Sequence, residues 1–208
     1  MPHPEGKCLI ISGGEYPGLP AATDVFSYII ACDRGWLYAK KAGLIPDLVI
    51  GDFDSSPVPK DRASVEIYPE RKDDTDTMLA AKHALKLGYS DITICCAFGG
   101  RMDHTLANIQ AAAFIVSSGG EAELIGKDTL AFAFTGKKKA FPKKGEYSFS
   151  IFSLSDQCTG VSIRGSQYDC ENIVLTNSFP LGVSNAWSED VIEVAAGSGI
   201  LLVVESRL

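Results

Sequence analysis

Apolar residues fall in short, continuous runs through the first 125 positions and in looser, alternating clusters after that. Runs at residues 8–12, 28–32, 48–50, 65–68, 92–97 and 122–125 read as strands, several of them stopped by glycine. Residues 36–42, 75–87 and 105–116 read as helices, closed by Gly43, Gly88 and the Gly119-Gly120 pair. Short apolar strands alternating with helices predict a mostly parallel, Rossmann-like sheet with helices on both faces. Beyond residue 129 the helical spacing disappears. Strand candidates at 147–154, 160–163, 173–175, 191–195 and 200–205 predict a small antiparallel β-sandwich. The expected class is therefore α/β followed by a β-sandwich, with domains at 1–130 and 131–208.

Charge sharpens this division. The first 126 residues carry 11 basic and 17 acidic side chains, and the rest carry 8 and 9. The acid is clustered at Asp47, Asp52, Asp54, Asp73, Asp74, Asp76 and Asp103, which is costly unless a cation is placed among them. A net charge of −7 argues against sequence-independent nucleic-acid binding. No apolar run reaches the length of a membrane span. The segment 1–7 has no signal-peptide pattern, and the six cysteines form no C-x-x-C pair, so reduced thiols in a cytoplasmic protein are expected. Five lysines between residues 136 and 145 are read as a solvated hairpin or inter-domain connection rather than an anion site.

Three junctions carry the chemistry. Residues 46–55 deliver Asp52 and Asp54 just beyond a buried strand. At i and i+2 in extended chain they point to one side, with Cα atoms about 6.6 Å apart. Hard carboxylate oxygens at strand ends suit Mg²⁺. Lys72-Asp73-Asp74-Thr75-Asp76 opens a helix, and Asp73 and Asp76 can share one side. Phe98-Gly99-Gly100-Arg101-Met102-Asp103-His104 leads into the helix containing Asn108. There glycines permit close approach to a ligand, and the Arg101 fork matches phosphate oxygens. The chain has neither a Walker phosphate loop nor a G-x-G-x-x-G. Together these junctions point to a Mg–nucleotide or Mg–polyphosphate site.

In this order, Asp33, the Pro46-Asp47…Gly51-Asp52-Phe53-Asp54-Ser55 stretch, Asp73 to Asp76, and Gly99 to His104 with Asn108 resemble the thiamine pyrophosphokinase family. The resemblance is dense over residues 28–110. In the second domain Gly165-Ser166-Gln167-Tyr168 and Gly182-Val183-Ser184-Asn185 are similar to shorter family elements. Arg34 departs from the pattern, standing where the family commonly has glycine. The resemblance implies transfer of a pyrophosphoryl group from ATP to the hydroxyethyl oxygen of thiamine, giving thiamine diphosphate and AMP. It implies a homodimer with sites at the subunit interface and Mg²⁺ as cofactor. By match, Asp52, Asp54, Asp73 and Asp76 are metal candidates, with Arg101 and Asp103 joining them as catalytic ones. Asp33, Lys72, Gly99, Gly100, Arg101, His104 and Asn108 are nucleotide candidates, and Tyr168, Ser184 and Asn185 thiamine candidates. Two alternatives explain the clustered acid as well: a Mg-dependent nucleotide phosphohydrolase, and a nucleotide-binding sensor without turnover.

Overall fold

The computed structural model describes residues 6–20, 22–52, 64–67 and 73–208. The chain divides into two compact units, Met1–Lys127 and Asp128–Leu208.

Among the described residues the first unit holds six parallel strands: β1 (Lys7–Ile11), β2 (Phe26–Cys32), β3 (Leu48–Gly51), β4 (Ser64–Ile67), β5 (Asp91–Cys95) and β6 (Glu121–Ile125). Their order is β6-β5-β1-β2-β3-β4. Among the described residues three α-helices lie between them: α1 (Gly35–Lys41), α2 (Asp76–Lys86) and α3 (Met102–Ser117). The pleat of β1 sends Leu9 and Ile11 to one face of the sheet, where they join Trp36 and Ala39 of α1, Ala31 and Val49 in one core cluster. Helix α2 lies against β1, β2 and β3 and also packs on α3. Its buried face is small, made by Thr77, Ala80, Ala81 and Ala84, which lets it sit close to its neighbours. All four apolar residues of β1, Cys8 to Ile11, are fully buried. Cutting Ile11 to Ala would cost about 2–5 kcal/mol through lost burial and the cavity left behind.

The second unit is an antiparallel sandwich. One sheet runs β12 (Gly182–Asn185), β9 (Tyr147–Ser153), β14 (Leu201–Arg207), β7 (Thr129–Phe134). The other runs β11 (Cys170–Thr176), β10 (Gln157–Arg164), β13 (Val191–Ala196), β8 (Lys137–Pro142). Phe134, Phe149, Ile151 and Leu201 from the first meet Phe141, Val161, Ile192 and Val194 from the second in a single core. Trp187 belongs to that core, and its indole N–H donates to the Phe141 carbonyl at 3.0 Å.

The fold class expected from the sequence is borne out. One local reading is corrected: the lysine-rich stretch is a strand, β8, rather than a hairpin or connection. Among the described residues it forms the edge of its sheet, pairing with β13. Lysines on an edge discourage further strand addition. Lys138 pairs with Glu193 at 2.6 Å, and Lys144 pairs with Glu205, whose side chain is 1% exposed.

Candidate active site

The order of the first sheet reverses between β1 and β5. The chain leaves β1 toward β2, β3 and β4, then returns through α2 to β5 on the other side. Ligands of open parallel sheets settle beyond the carboxyl ends of the strands at such a point. A cavity of about 580 Å³ lies there, lined by the segments that follow β1, β2 and β5 and by the first turns of α2 and α3.

Its wall is built by main chain. Past the end of β1, Ser12 N–H donates to the Cys95 carbonyl at 2.9 Å, Gly14 N–H to Cys96 at 3.0 Å and Glu15 N–H to Phe98 at 2.9 Å. The β1–β5 pairing thus continues into the two loops. A Cβ on Gly14 would stand 2.4 Å from the Cys96 oxygen, so only glycine allows the loops to close. Gly35 is equally constrained, because a Cβ there would come within 2.0 Å of the Ile11 oxygen. Asp33 precedes it with φ +42°, and its N–H bonds the Ile50 carbonyl at 2.7 Å.

This cavity gathers much of what the sequence singled out. Asp33, Asp76, Gly99, Gly100, Arg101, His104 and Asn108 all line it. They come from three separate motifs, and Asp33 and Asp76 are acidic residues bordering the same space. Asp76 sits in the first turn of α2, which Thr75 caps by accepting the Met78 N–H at 3.2 Å. Asn108 is buried on α3. Its amide donates to the Ala97 carbonyl at 2.7 Å and to Ser12 Oγ at 3.5 Å.

Other candidates stand apart from the lining. Asp73 is exposed, Asp52 half-buried, and Asp54 and Lys72 lie outside the described residues. Asp103 is engaged by its own loop, with Arg101 Nε donating at 3.1 Å and the His104 N–H at 3.0 Å. The Arg101 guanidinium holds the Asp103 carboxyl below the usual carboxylate range. Asp74 is taken by Lys82 at 2.7 Å. Asp47, in the same stretch as Asp52, is part of the framework. Its Oδ2 accepts the Ile29 N–H at 2.8 Å, and its own N–H bonds the Ile29 carbonyl at 2.9 Å.

In the second unit Asn185 acts as a staple. Its Oδ1 accepts the N–H groups of Tyr168 at 3.1 Å and Ala186 at 2.9 Å. Its Nδ2 donates to the Tyr168 carbonyl at 3.0 Å and to Ser166 Oγ at 3.1 Å. Asn185 is therefore buried and occupied, while the Tyr168 side chain it positions is exposed. Asp169 completes the turn by accepting from Ser166, which keeps its carboxyl below the ordinary range. Ser184 holds a positive φ of +59° and gives its N–H to Ser150 Oγ at 3.0 Å.

Sequence reasoning missed Ser12, Gly13, Gly14, Arg34 and Thr77 as parts of the lining. The Gly13-Gly14 pair after an apolar strand was the available signal, and it reads equally well as a strand stop. Nothing local marks Thr77, which faces the site only because α2 packs on β1.

Comparison with known proteins agrees with this arrangement. A family model described as the thiamin pyrophosphokinase catalytic domain matches residues 21–121. The thiamine pyrophosphokinase of Bacillus subtilis (strain 168) is 28% identical over 207 residues, spanning 95% of this chain and 97% of that protein. The crystal structure of thiamine pyrophosphokinase from Bacillus subtilis superimposes with a TM-score of 0.84 at 26% identity, covering 97% of this chain and 99% of that one. A thiamin pyrophosphokinase family protein from Enterococcus faecalis gives 0.77 at 25% identity, covering 98% and 99%. The order of the acidic motifs, the fold and these relatives converge on one conclusion: the chain is similar to the thiamine pyrophosphokinases over nearly its whole length.

Proposed function

We propose that the chain transfers the pyrophosphoryl group of ATP to the hydroxyethyl oxygen of thiamine, giving thiamine diphosphate and AMP. The observation that carries this reading is the convergence of Asp33, Asp76, Arg101, His104 and Asn108 on one cavity at the switch point of a parallel sheet. In the transfer, the hydroxyethyl oxygen bonds to the β-phosphorus while the bond from β-phosphorus to the α–β bridging oxygen breaks. AMP leaves with that electron pair, and the hydroxyl proton is released. Such chemistry depends on positioning and charge neutralisation more than on covalent help from the protein.

Among the described residues, no three His, Cys, Asp or Glu side chains cluster closely enough to hold a metal alone. The donor chemistry nonetheless fits Mg²⁺, which takes one or two carboxylates and fills its shell with water and phosphate. Asp76, with Asp52, Asp54 and Asp73, would hold it. When bound, the ion supplies charge neutralisation at the phosphates. Gly99 and Gly100 let the loop approach the nucleotide, and Arg101 would exchange its pairing with Asp103 for phosphate oxygens. Lys72 and His104 are further nucleotide contacts in this reading. Asn108 keeps the first turns of α3 against the strand ends. Tyr168, Ser184 and Asn185 are the proposed thiamine contacts, the tyrosine offering a face to the cationic thiazolium.

We also place the enzyme in the cytoplasm as a homodimer with active sites at the subunit interface. Supporting the dimer, the second unit exposes Val174, Phe179, Leu181 and Val183 at 49–65%, an apolar surface that a second copy would cover. Among the described residues no helix is long and apolar enough to cross a membrane.

The test is product analysis. The purified chain with ATP, Mg²⁺ and thiamine should yield thiamine diphosphate and AMP in equal amounts, and none with EDTA. ADP with thiamine monophosphate would mean a simple kinase. Phosphate release without a thiamine product would favour the hydrolase reading.

A further inference from the structure

We propose that Arg34, anchored by Tyr38, binds the phosphates of the nucleotide in the cavity at the strand ends. This rests on the nucleotide reading above and extends it to a residue where the chain departs from the family pattern.

Arg34 lines the cavity beside Asp33, with its Cβ within 3.8 Å of where a Gly13 Cβ would stand. Arg101 borders the same space but already has its guanidinium on Asp103 through Nε and a terminal nitrogen. Arg34 is different. Among the described residues no carboxylate pairs with it. Its Nε donates to Tyr38 Oη at 3.1 Å, and Cζ lies 5.8 Å from the centre of the tyrosine ring. The hydroxyl of Tyr38 then donates onward to the Gly14 carbonyl at 3.0 Å. One hydroxyl thus accepts from the guanidinium and donates to the wall, which fixes the direction of both bonds. The tyrosine ring is itself braced, 4.9 Å from the ring of Tyr16.

The outcome is an arginine tied to the same backbone wall that closes on Cys96. With Nε committed to Tyr38, both terminal nitrogens remain for an anion, and a guanidinium fork matches two phosphate oxygens. Holding the side chain in advance lowers the ordering cost of binding. Lysine lacks the Nε–H and the fork, so it would restore charge without geometry. A nucleoside polyphosphate is the ligand class this chemistry selects. Arg34 touches the ligand, and Tyr38 is a positioning residue that acts through it.

The experiment compares full-length wild type with Arg34→Gln, Arg34→Lys and Tyr38→Phe. It combines steady-state kinetics with calorimetric binding of ATP and of adenosine. Arg34→Gln should raise the KM for ATP and weaken ATP binding about ten-fold or more, leaving adenosine affinity and the KM for thiamine within about two-fold. Arg34→Lys should recover only part of the loss. Tyr38→Phe, which keeps the ring, should raise the KM for ATP a few-fold with kcat nearly unchanged. Wild-type ATP affinity in Arg34→Gln would overturn the proposal. So would an equal loss for ATP and adenosine, which would mean that Arg34 only shapes the pocket. The functional reading is scored separately, by whether wild type makes thiamine diphosphate, because the binding measurement needs no turnover.

Discussion

Ser12 and Thr77 meet hydroxyl to hydroxyl at 3.0 Å, although 65 positions separate them. The contact is buried and joins the end of β1 to the first turn of α2, one residue from Asp76. Asn108 reaches the same serine, so three elements share one polar knot under the cavity. A knot of this kind fixes where the Asp76 carboxylate stands relative to the glycine wall.

The knot should therefore be measurable as coupling. Ser12→Ala and Thr77→Val each leave a buried hydroxyl without its partner, at about 1–3 kcal/mol. The double variant should lose less than the sum, with a coupling near 1 kcal/mol by denaturant unfolding. The KM for ATP should rise in each single variant. Strict additivity would mean that the two hydroxyls do not act together.

The acids at the start of α2 should separate sharply by role. Asp74 is held by Lys82 at the surface, and such pairs contribute less than about 1 kcal/mol. Asp74→Asn should keep nearly full turnover. Asp76→Asn should lose about a hundred-fold or more in kcat/KM, with a steeper requirement for Mg²⁺. Measuring rate against Mg²⁺ concentration for both variants checks this, and equal losses would contradict it.

In the second unit, the staple and the residue it holds should fail differently. Asn185→Ala strips bonds from two N–H groups and a carbonyl around Tyr168, so the melting temperature should fall along with thiamine affinity. Tyr168→Ala removes an exposed ring and should weaken thiamine binding at an unchanged melting temperature. Thermal melts paired with thiamine titrations distinguish the two.

Alkali should reveal the buried thiol of β1. Burial, helped by the charge of Asp47, pushes Cys8 from 9.0 to about 12. The unfolded chain releases this proton near its ordinary value while the folded chain keeps it. The raised folded value therefore contributes no loss below pH 8. Stability drains away as pH climbs from about 9 toward 12, by about 1.4 kcal/mol at pH 10. Cys8→Ala should lower stability at pH 7 and flatten this alkaline slope. Unfolding midpoints at pH 7 and pH 10 for both proteins read it directly, and parallel slopes would refute the assignment.

Much of this arrangement was legible before any coordinates. The runs ending at Gly13, Cys32 and Gly99 marked β1, β2 and β5 because apolar strands and glycine stops are local signals. Asp33, Asp76 and the Gly99–His104 loop were legible because acid clusters and glycine pairs are conspicuous in sequence. What escaped depends on tertiary contact. Strand β8 was hidden because lysines read as solvated loop, and only pairing with β13 makes them a protected edge. Nothing local marks the bonds of the Asn185 amide to Ser166, Tyr168 and Ala186, partners that the fold alone brings near. Asp103 looked like one more free acid until its neighbour Arg101 folded onto it.

The glycine wall bears on how this enzyme could be redesigned. Where Gly14 and Gly35 bring main chain into contact, no side chain is available to be exchanged, and any added carbon meets a carbonyl oxygen. Substitutions at these two glycines would break the fold rather than retune the cavity. Variation that alters nucleotide choice has to come instead from the side chains that border the space, such as Arg34, Thr75, His104 and Ala107. The protein thus separates a part that evolution cannot edit from a small set of positions where selectivity can drift.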